Sequence, residues 1–262
     1  NNSPILDFPP VDIACADVLF EHSPGAHDPN GDSLVYSIVA NRGGGGSLIS
    51  DYSFHNNVPG CTGSSLTINP STGLLTWDAP VCCSIQGTIP EQEEFNIAIL
   101  IEEFFPVTGK KRGSVLRDMQ IEVDCDCEND PPVIIAPNQM CVFAGDTIDT
   151  TIVANDINAD KITMTSSGEH LSLSNSPAVF PQPDVGDSTF SSVFHWNTNC
   201  GHVRNNPYTT IFRAEDNDPV VQLVDYHTLE IKIIAPRVEN SVAIPEGNSI
   251  KLSWDPSPCA AS

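Results

Sequence analysis

The sequence predicts an all-β chain built from tandem β-sandwiches, and three observations predict it. Short Val, Ile, Thr and Phe segments alternate with polar residues and are cut by turn residues, with 22 Pro and 17 Gly in 262 residues. No amphipathic run is long enough to specify a helix. An acidic loop occurs twice at a shift of 128 residues, as Asp28-Pro29-Asn30-Gly31-Asp32 and Asp156-Ile157-Asn158-Ala159-Asp160. Each loop sets oxygen-bearing side chains at every second position just before a strand-like alternation. That is how a loop wraps a hard cation such as calcium, although Asp, Asn and Gly are also the ordinary residues of a turn.

The repeat extends beyond the loop. Asn1-Asn2-Ser3-Pro4-Ile5-Leu6 matches Asn129-Asp130-Pro131-Pro132-Val133-Ile134 at the same shift. An acidic pair closes an apolar, strand-like run in each half, Glu102-Glu103 after residues 97–101 and Glu215-Asp216 after residues 210–214. Three acidic segments recurring in one order define a unit of roughly 110 to 130 residues, an ordinary domain size. The chain divides on this basis into residues 1–127, residues 128–236 and a tail, 237–262. The tail holds Val242-Ala243-Ile244, a Glu246-Gly247-Asn248 turn and Ile250-Lys251-Leu252-Ser253-Trp254, two strand signals that cannot bury a core alone.

Charge and cysteine usage bound the function. With 34 acidic against 11 basic residues the net charge is -23, which repels nucleic acid and anionic membranes alike. Bound cations would offset part of that self-repulsion. No apolar stretch approaches the roughly 20 residues of a membrane helix and no signal peptide is present, so the chain reads as a mature piece or a fragment. Nine cysteines in a turn-rich chain point to an oxidising, extracellular setting. Cys141 and Cys200 are the two cysteines of the second repeat and are expected to pair. Trp196 precedes Cys200 much as Trp77 precedes Cys82, which suggests that Cys15 pairs with Cys82 or Cys83 in the equivalent place. Cys61, Cys125, Cys127 and the remaining member of the Cys82-Cys83 pair are not ordered by the sequence, and Cys259 is expected to find its partner beyond residue 262. A zinc or redox role is disfavoured, because Cys125-Asp126-Cys127 lacks a second ligand pair and no Cys-x-x-Cys occurs.

The chemistry of catalysis is not spelled out either. There is no His-Glu-x-x-His, no Gly-x-Ser-x-Gly and no phosphate loop, since Gly43-Gly44-Gly45-Gly46-Ser47 lacks the lysine. The chain therefore reads as non-catalytic. An EF-hand fails on spacing, because position twelve counted from Asp28 is Val39 and from Asp156 is Ser167, where a bidentate Glu is required. Any cation ligands must come from loops far apart in sequence. The competing reading is an array of carbohydrate-binding modules stacking sugars on Tyr52, Phe54, Phe104, Phe105 or Tyr208, against which those aromatics also suit core or edge packing. Trp77 and Trp196 alternate with apolar neighbours and read as core.

These residues resemble known families. Asp28 to Ile38, with Ser65-Leu66-Thr67-Ile68-Asn69-Pro70-Ser71-Thr72-Gly73-Leu74-Leu75-Thr76-Trp77, resembles the cadherin-like and dystroglycan-like immunoglobulin-type domains of bacterial surface proteins. Residues 199–204 and 212–217, with the tail around Gly247-Asn248-Ser249-Ile250, are similar to Bacteroidetes surface proteins associated with gliding motility and type IX secretion. The tail is similar to the opening strands of a fibronectin type III domain. The resemblance implies tandem immunoglobulin-like (cadherin-like) sandwiches, disulfide-containing, in a secreted or cell-surface stalk or adhesin. Its implied partners are neighbouring domains of the same long chain, a glycan or protein ligand on a surface, or the secretion and outer-membrane machinery, with no direct membrane span.

The cadherin comparison also implies where calcium sits. At the top of the second domain, Asp156, Asn158, Asp160, Glu215 and Asp216 would meet Asn129 and Asp130 of the linker, so that the ion bridges the two domains. The first repeat carries the equivalent set in Asp28, Asn30, Asp32, Glu102 and Glu103, with Asn2 as a linker remnant. Asp-Ser/Thr-apolar triplets at Ser33, Thr147, Thr150 and Ser188 resemble Bacteroidetes O-glycosylation acceptors.

Overall fold

The computed structural model describes residues 3–47, 49–50, 52–53, 64–83 and 90–260. Asn2, Phe54 and Cys61 lie outside the described residues. Nineteen strands form the described chain, and the acidic loops and proline-rich turns separate them. No helix among the described residues is long and apolar enough to cross a membrane.

In the first sandwich, β2 (Val11–Cys15), β5 (Ser33–Val39), β8 (Gln92–Phe104) and β9 (Lys111–Asp124) form one sheet in the order β2-β9-β8-β5, with β2 parallel to β9. The facing sheet is β3 (Phe20–His22), β7 (Leu75–Asp78) and β6 (Ser65–Ile68), and a ribbon of β1 (Ile5–Leu6) and β4 (Ala26–His27) lies beside it. Alternation explains the faces. Along β8, Ile97, Ile99 and Ile101 are buried, and along β9 Met119, Ile121 and Val123 are buried, so every second side chain enters the core around Trp77. The Trp77 Nε1–H is satisfied by Ser64 Oγ at 2.9 Å.

The second sandwich repeats the plan. Its larger sheet runs β11 (Gln139–Phe143), β17 (Val224–Ile234), β16 (Tyr208–Asp216), β13 (Ile162–Ser167) and β14 (Asp184–Gly186), again with a parallel first pair. The smaller sheet is β10 (Val133–Ile135), β12 (Thr147–Asn155) and β15 (Thr189–Asn197). Trp196, Phe194, Phe212 and Met164 fill its core. Two facing sheets, antiparallel except where the early strand β2 or β11 pairs parallel with the last strand of its unit, make each unit an immunoglobulin-like sandwich. All of these ladders lie within residues 5–124 or within residues 133–234. The tail forms an antiparallel hairpin of β18 (Glu239–Glu246) and β19 (Ser249–Asp255), with Trp254 55 % exposed.

The cysteine pairing departs from the sequence expectation. Cys15 is bonded to Cys127, because β2 lies parallel beside β9 with Cys15 opposite Asp124, and the chain leaving β9 turns back to it. Cys82 is bonded to Cys125, not to Cys15, and Cys83 is disulfide-bonded as well. The expected Cys141–Cys200 bridge does not form: Cys141 is an exposed free thiol on the edge strand β11, while Cys200, in the 3-10 turn after β15, pairs with Cys259 and ties the tail to the second sandwich.

The sandwiches contact each other along a seam. Phe8 packs on Tyr226 with ring centroids 5.6 Å apart, in a cluster with Ile211 and Val224. A second apolar patch joins Cys15, Val221 and Leu223. Ser167 Oγ donates to Asp7 Oδ2 at 2.6 Å, and Asn206 Nδ2 donates to Ser33 Oγ at 2.8 Å. One buried polar bond also crosses the seam, the Tyr226 hydroxyl donating at 3.3 Å to Asp12 Oδ2, which within the first sandwich lies 2.9 Å from His22 Nδ1. Burial pushes the His22 imidazole down in pKa against the opposing pull of Asp12, which keeps it neutral and fixes its Nδ1–H toward that carboxylate. Apolar burial and satisfied hydrogen bonds together outweigh the freedom of the short linker.

Candidate cation sites at the two acidic loops

Each acidic loop is closed by its own first aspartate. Asp28 Oδ1 accepts from the backbone N–H of Asn30 at 2.8 Å and of Asp32 at 3.1 Å. Asp156 Oδ1 accepts from the N–H of Asp160 at 3.0 Å, the same turn 128 residues later. Both turns need a left-handed residue at the fourth position, met by Gly31 (φ 75°) and by Ala159 (φ 69°). One oxygen of each aspartate is thereby used and the other, Asp28 Oδ2 or Asp156 Oδ2, is buried without a hydrogen-bond partner.

At the first loop, one ligand atom each from Asp28, Asp32 and Glu103 lies within 4.8 Å of the others. Asp28 is 3 % and Glu103 2 % exposed, and Glu103 Oε1 is also partnerless. Burial, then Asp28 and Asp32, push the Glu103 carboxyl up from its ordinary pKa. One cation is built in: Arg112 pairs with Asp32, and its guanidinium carbon sits 3.5 Å over the Phe105 ring. Glu102 is not part of the cluster. Neighbours on a strand face opposite sides, and Glu102 pairs instead with Lys111 Nζ at 2.5 Å. Asn30 is exposed at the tip of the loop.

At the second loop the linker takes part. Asn129 Nδ2 donates to Asp216 Oδ2 at 2.9 Å and to the Val221 carbonyl at 2.8 Å, leaving Asn129 Oδ1 buried and partnerless. Asp130 enters through its backbone N–H, which donates to Asn158 Oδ1 at 3.1 Å. Burial pushes Asp216 up to about 6 against three hydrogen bonds that favour its charged form, with Asp156 adding repulsion. Asp160 is raised by the desolvation of its site and then by Asp156 and Asp218. Glu215 faces away, held bidentately by Arg213 at 2.9 and 3.0 Å. Among the described residues no ion pair reaches Asp156, Asp160, Asp216 or Asp218.

Two residues at the loops carried no expectation from the sequence. Asp218 accepts from the Val220 and Val221 N–H groups and faces Asp160, and the alternation Asp216-Asn217-Asp218 was its signal. Arg112 had no signal, because it lies 80 residues from Asp32.

The remaining expected sites fall as follows. Thr147 is exposed and its hydroxyl donates to Asn197 Oδ1 at 2.8 Å, Thr150 and Ser188 are half-buried, and Ser33 faces the seam. Trp77 and Trp196 are buried core residues, as expected, and Tyr208 is 4 % exposed. The exposed Phe105, Phe143 and Trp254 lie in three different parts of the chain.

No protein-family model matches the chain, and no curated protein is recognisably similar to it. Among solved structures it is similar to the tandem Ig repeats of Dlar, at 12 % identity and a TM-score of 0.31 over 88 % of this chain and 98 % of that one. It is similar to Drosophila N-cadherin EC1-4 at 12 % identity and a TM-score of 0.30, over 91 % of this chain and 51 % of that one. A third is the sialic acid binding region of a Streptococcus sanguinis adhesin, at 9 % identity and a TM-score of 0.32, over 92 % and 81 %. The immunoglobulin-like assignment rests on the strand order above, not on likenesses of this size.

Proposed function

We propose that this chain is a non-catalytic structural and adhesion segment of a secreted or cell-surface multidomain protein, stiffened by calcium at its acidic loops. The observation that carries the reading is the pair of partnerless buried oxygens, Asp156 Oδ2 and Asn129 Oδ1, where linker and second sandwich meet. A buried acceptor without a donor costs about 1–3 kcal/mol, and a hard cation satisfies several at once. Asp156, Asn129, Asp160, Asp216 and Asp218 supply oxygen donors around the second loop, and among the described residues no ion pair compensates them. The first loop is the one place among the described residues where three carboxylate atoms converge within 4.8 Å, but there Arg112 already offsets one of the three charges.

The resemblance to surface proteins, the disulfides and the paired sandwiches support an extracellular spacer whose modules are held together. Calcium would neutralise the loop and hold the linker to the second sandwich, while Asn129 and Asp216 keep the strand ends in place. With an extracellular-type constant near 0.1 mM, about 2 mM calcium would stabilise by roughly 1.8 kcal/mol. A glycan-binding module would need exposed aromatic faces set together, whereas the described tryptophans of both sandwiches are core.

Calorimetric titration of the chelator-treated chain with calcium tests the reading. Saturable heat with a rise in melting temperature, both lost in Asp156→Ala, supports it. No heat and no shift would reduce both loops to turns and leave the segment without its metal.

A further inference from the structure

A cleft of about 730 Å³ opens where the two sandwiches and the linker meet. Ordinary ligand sites have roughly 300–1,000 Å³. The first sandwich lines it with Leu19 and Glu21, just before and on β3, and the second with Val133, Ile157 and Asp225. The Cys15–Cys127 disulfide ties the two walls together, because Cys15 closes β2 just ahead of Val18 and Leu19, and Cys127 leads into the linker that carries Asp130. Val18, also in the lining, packs on Cys15, Val221 and Leu223, residues of both sandwiches. The cleft is therefore formed before any ligand arrives.

Two properties of the lining point to a ligand. Leu19, Val133 and Ile157 are 53, 57 and 82 % exposed, an apolar rim contributed by three separate segments. Contiguous apolar surface of this kind marks a contact site. Four carboxylates, Glu21, Asp130, Asp156 and Asp225, share the lining, and no Lys, Arg or His does. Asp225 is held in place by the N–H groups of Ile134 at 2.6 Å and Tyr226 at 2.9 Å, and Asp156 is nine-tenths buried with Oδ2 left without a partner. A cation entering here meets carboxylates already fixed and partly desolvated, where pairing is stronger than on an open surface.

We infer that this cleft docks a partner polypeptide presenting a Lys or Arg side chain beside apolar ones, the cation among the four carboxylates and the apolar groups on Leu19, Val133 and Ile157. Charge selects this occupant. A second copy of the chain would bring its own net charge of -23 to an acidic wall, and an acidic glycan is repelled likewise. A bare metal ion would leave the apolar rim uncovered. The docking does not depend on calcium at the acidic loops.

Fluorescence anisotropy of the whole chain against a labelled Leu-Arg-Val-Arg-Leu peptide is the test, in chelator and at about 150 mM salt, where exposed charges more than roughly 8 Å apart are screened. The expected result is saturable binding that weakens about tenfold in Glu21→Gln and several-fold in Leu19→Ser. Glu239→Gln, which removes the same charge from the exposed tail hairpin, should leave it unchanged. A Gly-Arg-Ser-Arg-Gly peptide should bind about tenfold more weakly than the first, and Leu-Glu-Val-Glu-Leu should not bind. The three peptides test the parent chain alone, so their result stands even where a variant fails to fold. Absence of saturable binding to the first peptide overturns the inference. So does equal affinity for the glycine–serine peptide, or an equal loss in Glu239→Gln and Glu21→Gln, since either reduces the contact to general charge attraction. Self-association on sedimentation that Leu19→Ser abolishes would make the cleft a contact between copies, which overturns it too. Because calcium is absent throughout, none of these results bears on whether the acidic loops bind metal.

Discussion

The loops at Asp28 and at Asp156 close the same turn in different electrostatic surroundings. The first lies at the seam, where Gly31 points at the Arg204 guanidinium of the second sandwich, and it carries its own counter-charge in Arg112. The second lies at the linker and takes in Asn129 and Asp218, and among the described residues no ion pair reaches its carboxylates. An arginine that is already present competes with an added ion for the same carboxylates, so a repeated motif need not mean a repeated site. The difference lies in what neighbouring strands bring, since both loops share the bond from the fifth residue's N–H to the first aspartate and the left-handed fourth residue.

Removing the built-in cation should break the comparison most strongly. Arg112→Ala leaves Asp32, Asp28 and Glu103 without a counter-charge, and in chelator it should destabilise the chain by about 3 kcal/mol. The same variant should bind calcium more tightly at the first loop, which a two-site calorimetric fit would reveal. Equal loss of stability with and without calcium would show that the first loop cannot take the ion even when vacated.

Gly31→Ala should cost about 1–2 kcal/mol in denaturant unfolding, because the residue must stay left-handed. Its new methyl also meets Arg204 Nη1 at 2.9 Å, so part of the loss should vanish in Arg204→Ala, a coupling that double-variant melts would measure.

The pH response should separate the loops next. Asp216, raised to about 6 from 3.8, contributes stability that is fully present below 3.8 and lost as pH rises through about 6. Chelated protein should therefore melt at a lower temperature at pH 7 than at pH 5, and Asp216→Asn should flatten that slope. Calcium at pH 7 should restore the difference in the parent chain only.

The smallest effect is expected at Ala159. Ala159→Gly relieves a non-glycine left-handed residue and should stabilise by about 1 kcal/mol, bringing the second turn level with the first. A loss of stability there would mean that the alanine methyl is packed rather than strained.

Much of this was legible in the chain. Period-two alternation set the strands around Ile97, Ile99 and Ile101, and the paired acidic loops set the repeat. The tryptophans at 77 and 196 sit in the cores where alternation put them. Glu102-Glu103 and Glu215-Asp216 were legible as acidic strand ends, but adjacent residues face opposite sides. Nothing local says whether the inward member is the first or the second, and in both runs it proved to be the second.

The amino-acid sequence by itself determined the fold class, the repeat and the turn chemistry of both loops, because these depend on hydrogen bonds and burial within a few residues. Tertiary structure alone decided that Cys15 meets Cys127 and Cys200 meets Cys259, that Arg112 reaches Asp32, and that the sandwiches meet with Phe8 against Tyr226. Those pairings depend on distances between segments 59 to 112 residues apart for the two bridges, and only the packed sheets set such distances.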